Sequence, residues 1–86
     1  MLSHIKIYMK YFDYVVQSEI MCECCQRPAN DIHHISGRGE GKNVIENLIA
    51  LCRRCHVLEH DEKLSKSELQ LIHNYFLQGQ HKVFVK

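Results

Sequence analysis

The chain is 86 residues long, with 45% hydrophobic and 24% charged residues, a formal net charge of +1, five cysteines, seven histidines and one proline. That composition fits one small globular domain spanning 1–86 and excludes a collagenous, low-complexity or wholly disordered chain. No apolar run approaches the ~20 residues of a membrane-spanning helix, so no membrane partner is expected. The opening Met1-Leu2-Ser3-His4-Ile5-Lys6 lacks a basic stretch followed by an apolar one, so a cytoplasmic, intracellular location is expected. In such a reducing compartment thiols bind metal or stay free more often than they form disulfides. The near-neutral balance neither demands nor excludes a polyanionic partner.

Ile5, Tyr8, Met9, Phe12 and Val16 recur at steps of three and four and predict an N-terminal helix over about 4–16, with a strand as the alternative. Cys22, Cys24 and Cys25 crowd a turn that ends at Pro28. Asp31 to Ser36 reads as a strand, and the glycine-punctuated segment from Gly37 to Asn43 as a loop. Val44 to Leu51 reads as a second strand, which would close a hairpin. A helix is expected from about Cys52 past His56 and His60, turning Val57 and Leu58 to the core. Ser65-Lys66-Ser67-Glu68 is a capping box with Leu64 and Leu69 placed as a hydrophobic staple. The helix it opens, about 66–78, carries Leu69, Ile72 and Phe76 inward with Leu71 and Tyr75 beside them, and stops at Gly79. Residues 81–86 read as a tail or an edge strand.

Cys22-x2-Cys25 and Cys52-Arg53-Arg54-Cys55 are two CxxC pairs separated by 26 residues. Two such turns can present four thiolates to one tetrahedral Zn²⁺, and a pair at a helix N-terminus favours thiolate over thiol. Cys24 leaves a poorer turn with Cys22 and is read as non-ligating. A structural zinc contributes on the order of 10 kcal/mol to folding, comparable with the net stability of a small domain. Free buried thiols or a redox pair are the bland alternative.

Between and after these pairs lie Asp31-Ile32-His33-His34-Ile35, the glycine loop, Asn47-Leu48-Ile49-Ala50-Leu51-Cys52 and Cys55-His56-Val57-Leu58-Glu59-His60. In this order and spacing, the segment from Cys22 to His60 resembles the HNH endonucleases, and in particular their small stand-alone members often carried by phages. The resemblance implies an α+β fold: a zinc-stabilised ββα-metal domain of the treble-clef type with flanking N- and C-terminal helices. It implies a metal-dependent endonuclease that hydrolyses DNA phosphodiester bonds by nicking or double-strand cleavage, leaving a 5′-phosphate and a 3′-hydroxyl. His34 matches the general base, a task that suits an imidazole at cellular pH. His33 and His56 match the ligands of a second, catalytic divalent metal, which could be Mg²⁺, Mn²⁺, Ni²⁺ or Zn²⁺. Asn47 matches the central asparagine that ties the strands together and holds the base. Asn43, in the loop, is a weaker competitor for that role. His60, one helical turn after His56, is either a third ligand or an exposed helix residue. Asp31, on the strand face of His33, is either a hydrogen-bond acceptor for that ring or a solvated charge. Because successive strand residues face opposite sides, the strand must bend or end for His33 and His34 to reach one phosphate.

Arg38, Arg53 and Arg54 are the candidate nucleic-acid contacts, with double-stranded DNA as the expected partner. A homodimer, or a protein partner that supplies specificity, stays open. The chief alternative is a non-catalytic zinc module that binds nucleic acid or protein on the same scaffold. His4, His73 and His81 lie outside the constellation and carry no assigned role.

Overall fold

The computed structural model describes residues 2–61 and 63–79, so the expectation for 81–86 lies outside the described residues. Among the described residues the chain builds a small α+β fold of three α-helices and one two-stranded antiparallel sheet: α1 (Ser3–Tyr11), β1 (Asp31–His34), β2 (Leu48–Leu51), α2 (Arg53–His60) and α3 (Lys66–Leu77). No helix among the described residues is long and apolar enough to cross a membrane.

The two strands pair with Asp31 opposite Leu51, Ile32 opposite Ala50, His33 opposite Ile49 and His34 opposite Leu48. All of β2 is buried, because the sheet is covered on both faces. Leu48 and Ala50 join Tyr8, Met9, Ile20 and Ile32 in one apolar cluster under α1. Ile49 and Leu51 join Leu64, Leu69, Ile72 and the cysteines in the other, beneath α2 and α3. The alternation places His33 on the α2 side and His34 on the α1 side.

Several elements are shorter than the sequence pattern implies, each for a visible reason. Asp13 adopts the left-handed region (φ 61°), ending α1 soon after Tyr11 and leaving Val16 exposed. Ahead of β2 the chain curls into a 3₁₀ turn at Ile45–Asn47 instead of extending back to Val44. The carbonyls there are taken by α3, with His73 Nε2 donating to Ile45 O (2.6 Å) and Gln70 Nε2 to Glu46 O (2.9 Å). Strand β1 stops at His34, and Ser36 donates its backbone N–H to Asn47 Oδ1 (2.8 Å). In α2 Cys55 must face the sulfur cluster, so Val57, two residues on, points away and is half exposed, while Leu58 packs on the core.

Helix α3 begins with the expected reciprocal cap: Glu68 N donates to Ser65 Oγ (3.1 Å) and Ser65 N to Glu68 Oε1 (2.9 Å). Leu64 and Leu69 are both buried beneath it, and Gly79 follows with φ +78°, the left-handed value a helix terminus wants. Leu71 is 54% exposed, and the inward stripe is Leu69, Ile72, His73 and Phe76. Phe76 meets Phe12 edge-on at 5.1 Å, which closes α3 against α1.

His73, unassigned in the sequence, is fully buried and belongs to a polar chain that crosses the molecule. Tyr8 OH donates to Glu23 Oε2 (2.6 Å), Ala50 N donates to the same oxygen (3.3 Å), and His73 Nδ1 meets Glu23 Oε1 (2.8 Å). Burial pushes the Glu23 carboxyl up from its ordinary range, opposed by the hydrogen bonds from His73 and Tyr8. Because Nε2 spends its proton on Ile45 O, one further proton lies between Nδ1 and the carboxylate, and the pair is satisfied only together. His73→Leu should therefore strand Glu23 and cost about 3–5 kcal/mol, read as a lower urea midpoint at unchanged m.

Candidate functional site

The first CxxC turn forms because Gln26, just after Cys25, takes a left-handed conformation (φ 63°). This lets Gln26 N reach Cys22 O (2.9 Å) and Cys22 N reach Arg27 O (2.6 Å), with Met21 and Pro28 bridged behind. The second turn is the head of α2: Cys52 is its N-cap, and its Sγ accepts from Cys55 N (3.5 Å). Asn30, on the strand side, caps the next amide by accepting from Arg53 N (2.6 Å).

These two turns bring the sulfurs of Cys22, Cys25, Cys52 and Cys55 within 4.8 Å of one another, with Cys25 and Cys52 3.5 Å apart. Tetrahedral Zn–S bonds of ~2.3 Å separate sulfurs by ~3.8 Å, so the donor set fits a metal such as zinc. All five cysteines are free thiols; Cys24 is fully buried beside the cluster but is not among the four converging ligands. Hydrogen bonding from Cys24 pulls the Cys22 thiol down to about 4, whereas burial pushes Cys25 and Cys55 up. Burial thus opposes negative charge on Cys25 and Cys55, and a divalent ion held by the cluster would supply the opposing charge.

A second group lies across the sheet end from these sulfurs. His33 of β1 and His56 and Glu59 of α2 converge within 4.8 Å, a set that can hold a metal ion. His33 Nε2 lies 3.0 Å from Glu59 Oε1, and His56 Nδ1 lies 3.1 Å from Asp31 Oδ2. The His33 and His56 rings are 5.0 Å apart. Burial holds the His33 imidazole below its ordinary range against the opposing pull of Glu59, which favours the neutral form that a metal ligand needs. His60 is exposed and lines a separate hollow with Arg53, His56 and Val57. Glu59 rather than His60 therefore joins His33 and His56, and Asp31 pairs with His56 rather than with its strand neighbour His33.

His34 ends β1 on the other face. Its Nε2 lies 2.8 Å from Asn43 Oδ1, and among the described residues its buried Nδ1 has no hydrogen-bond partner. An amide oxygen only accepts, so Nε2 carries the proton and Nδ1 the lone pair. Asn47 acts one step removed. Its Oδ1 accepts from Ser36 N (2.8 Å) and Ser36 Oγ (2.7 Å), while its Nδ2 donates to Lys42 O (3.0 Å) and Gly37 O (3.2 Å). Asn47 thereby gathers both ends of the glycine loop, and the loop delivers Asn43 to His34.

The two histidines meet because the strand ends there: His33, His34 and His56 line one cleft of about 210 Å³ with Asp31, Ile32, Gly37 and Arg38. Arg38 is thus brought to the cleft. Arg53 and Arg54 are exposed on the first turn of α2. Glu59 and the polar chain through Glu23 and His73 carry no role in the sequence pattern, and Asn43 enters there only as the weaker competitor for the asparagine role; for Glu59 the signal is its place three residues after His56.

A family model described as HNH endonuclease matches residues 22–62. A curated protein, a mitochondrial DNA mismatch repair protein mutS homolog of Sarcophyton glaucum, is 35% identical over 51 residues, covering 51% of this chain and 5% of that protein. This chain therefore corresponds to a small part of that relative's length. No solved structure matches.

If the four converging sulfurs bind one ion, Cys22→Ser should lower bound zinc well below one per chain, and Cys24→Ser should leave it near one. Elemental analysis after exhaustive dialysis reads the difference. Chelation should also collapse the near-ultraviolet circular dichroism, because ion binding and folding are linked.

Proposed function

We propose that this chain, whose residues 22–62 match a family model described as HNH endonuclease, is a metal-dependent endonuclease that hydrolyses phosphodiester bonds of DNA. What carries the reading is the joint presence, in one cleft, of a metal-ligating cluster and an imidazole with its lone pair free. His33 and His56 line it, with Glu59 beside them on α2, and His34 lines it too, its buried Nδ1 without a hydrogen-bond partner among the described residues. The DNA mismatch repair relative supports DNA as the substrate class.

In this mechanism His34 is the general base. Its Nε2–H is committed to Asn43, so Nδ1 takes the proton as a water oxygen bonds to phosphorus and the bond to the 3′ oxygen breaks. The products are a 5′-phosphate and a 3′-hydroxyl once the leaving oxygen is protonated from solvent. Asn43 stabilises the imidazolium that forms on His34 by accepting its Nε2–H. Asn47 holds the loop that carries Asn43, so it is a positioning residue. His33, His56 and Glu59 hold the catalytic divalent ion, with Asp31 fixing the His56 ring through Nδ1 and leaving Nε2 to ligate. That ion, when bound, supplies positive charge against the phosphate and the leaving oxygen. Arg38 at the cleft and Arg53 and Arg54 at the head of α2 contact backbone phosphates. The four-cysteine zinc is structural and separate.

A binding module would need the sulfur cluster but not a ligand trio beside a tautomer-fixed histidine, which favours the enzyme. Cleavage of supercoiled plasmid by zinc-loaded protein, with Mg²⁺, Mn²⁺, Ni²⁺ or excess Zn²⁺ added in turn, tests it. His34→Ala should lose cleavage by about a hundredfold or more with zinc content unchanged. Glu59→Gln should raise the concentration of added ion needed for half-maximal rate by about tenfold, while His60→Gln should move it less. Full activity in His34→Ala overturns the mechanism.

A further inference from the structure

One histidine reaches this site from outside the family-matched segment. His4, in the first turn of α1, is 7% exposed, and its ring lies 4.7 Å from that of His34 at an interplanar angle of 52°. It shares a hollow with Ser3, His34, Arg38 and Asn43, on the far side of His34 from the His33–His56–Glu59 cluster. Burial holds its imidazole below the ordinary range, reinforced by His34 and Arg38 and opposed by Asp31.

The placement of His4 is not left to a loose helix end. Tyr8, one turn further along the same face of α1, is fully buried and donates to Glu23 Oε2 at 2.6 Å. Glu23 lies between Cys22 and Cys24 and is itself held by His73 and Ala50. A chain of short contacts thus runs from the first CxxC turn through Glu23 and Tyr8 to α1 and out to His4. His34 is met along its edge by Asn43 and on its ring by His4. Two contacts of different kind fix the two things a base must have fixed, its tautomer and its ring plane.

We infer that His4 is a positioning residue for His34, so that the working unit of this protein extends beyond residues 22–62 to include α1. The inference rests on the nuclease reading for its catalytic consequence. The contact itself does not depend on that reading. An aromatic ring at position 4 suffices for the role, and loss of the ring frees His34 to turn away from Asn43.

The test compares the full zinc-loaded chain with its His4→Ala, His4→Phe and His34→Ala variants on supercoiled plasmid, alongside ¹⁵N imidazole spectra of each. His4→Ala should lower kcat by about tenfold or more with KM within about twofold, and His4→Phe should restore kcat to within about threefold of the parent. The spectra should show His34 as the Nε2–H tautomer in the parent and in His4→Phe, and as a mixture in His4→Ala. Zinc content should stay constant throughout. A kcat for His4→Ala within about twofold of the parent, a His4→Phe no better than His4→Ala, or a His34 tautomer unchanged in His4→Ala would each overturn the inference. Should the parent cleave no DNA, the nuclease reading falls, and the tautomer comparison still decides whether His4 holds His34.

Discussion

Two short CxxC turns, one ahead of β1 and one at the head of α2, must bring four sulfurs to a common point, and the rest of the molecule is arranged around that meeting. Each end of the 26-residue span between the pairs is pinned there, so the strands inside it have little freedom in how they pair. Asn30 and Cys52 together cap the start of α2, which aims the helix back along β1. His56 and Glu59 then fall opposite His33 as a consequence of where Cys55 has to point. A domain this small buries too little apolar surface to enforce such geometry by packing alone.

The sheet is the second determinant. Although β2 is covered on both faces, β1 buries only Ile32 and His34 on one face and leaves Asp31 and His33 more open on the other, so its consecutive histidines are sent to different sides. Only the termination of the strand at His34 lets the two layers share a cleft. The glycine loop makes that termination abrupt, with Gly37 at φ +89°, a value that residues with a Cβ rarely adopt. Site and scaffold are therefore not separable parts: the segment that places His34 also ends the strand that places His33.

What the sequence disclosed and what it withheld divide along separation in the chain. The CxxC pairs, the Ser65–Glu68 cap and the helical stripe of α3 are local patterns, each legible within a few residues. Glu59 and His60 stand three and four residues after His56, and both spacings are compatible with a shared helix face. Which one meets His33 depends on how α2 crosses β1, a tertiary fact. Asn43 and Asn47 posed the same difficulty: both contribute, one by touching His34 and the other by tying the loop. Glu23, Tyr8 and His73 were invisible because their association joins single residues up to 50 positions apart, with no periodicity to announce it.

The grip of Asn47 on Ser36, Gly37 and Lys42 cinches the glycine loop at its neck. Arg38 stays at the cleft, while Gly39, Glu40 and Gly41 beyond that neck are exposed to solvent. Added or removed residues at Gly39, Glu40 or Gly41 would lengthen or shorten an overhang without reaching the strand end. The loop tip is thus the part of this fold most open to divergence, where new surface chemistry can be tried beside an unchanged floor of His33, His34 and His56.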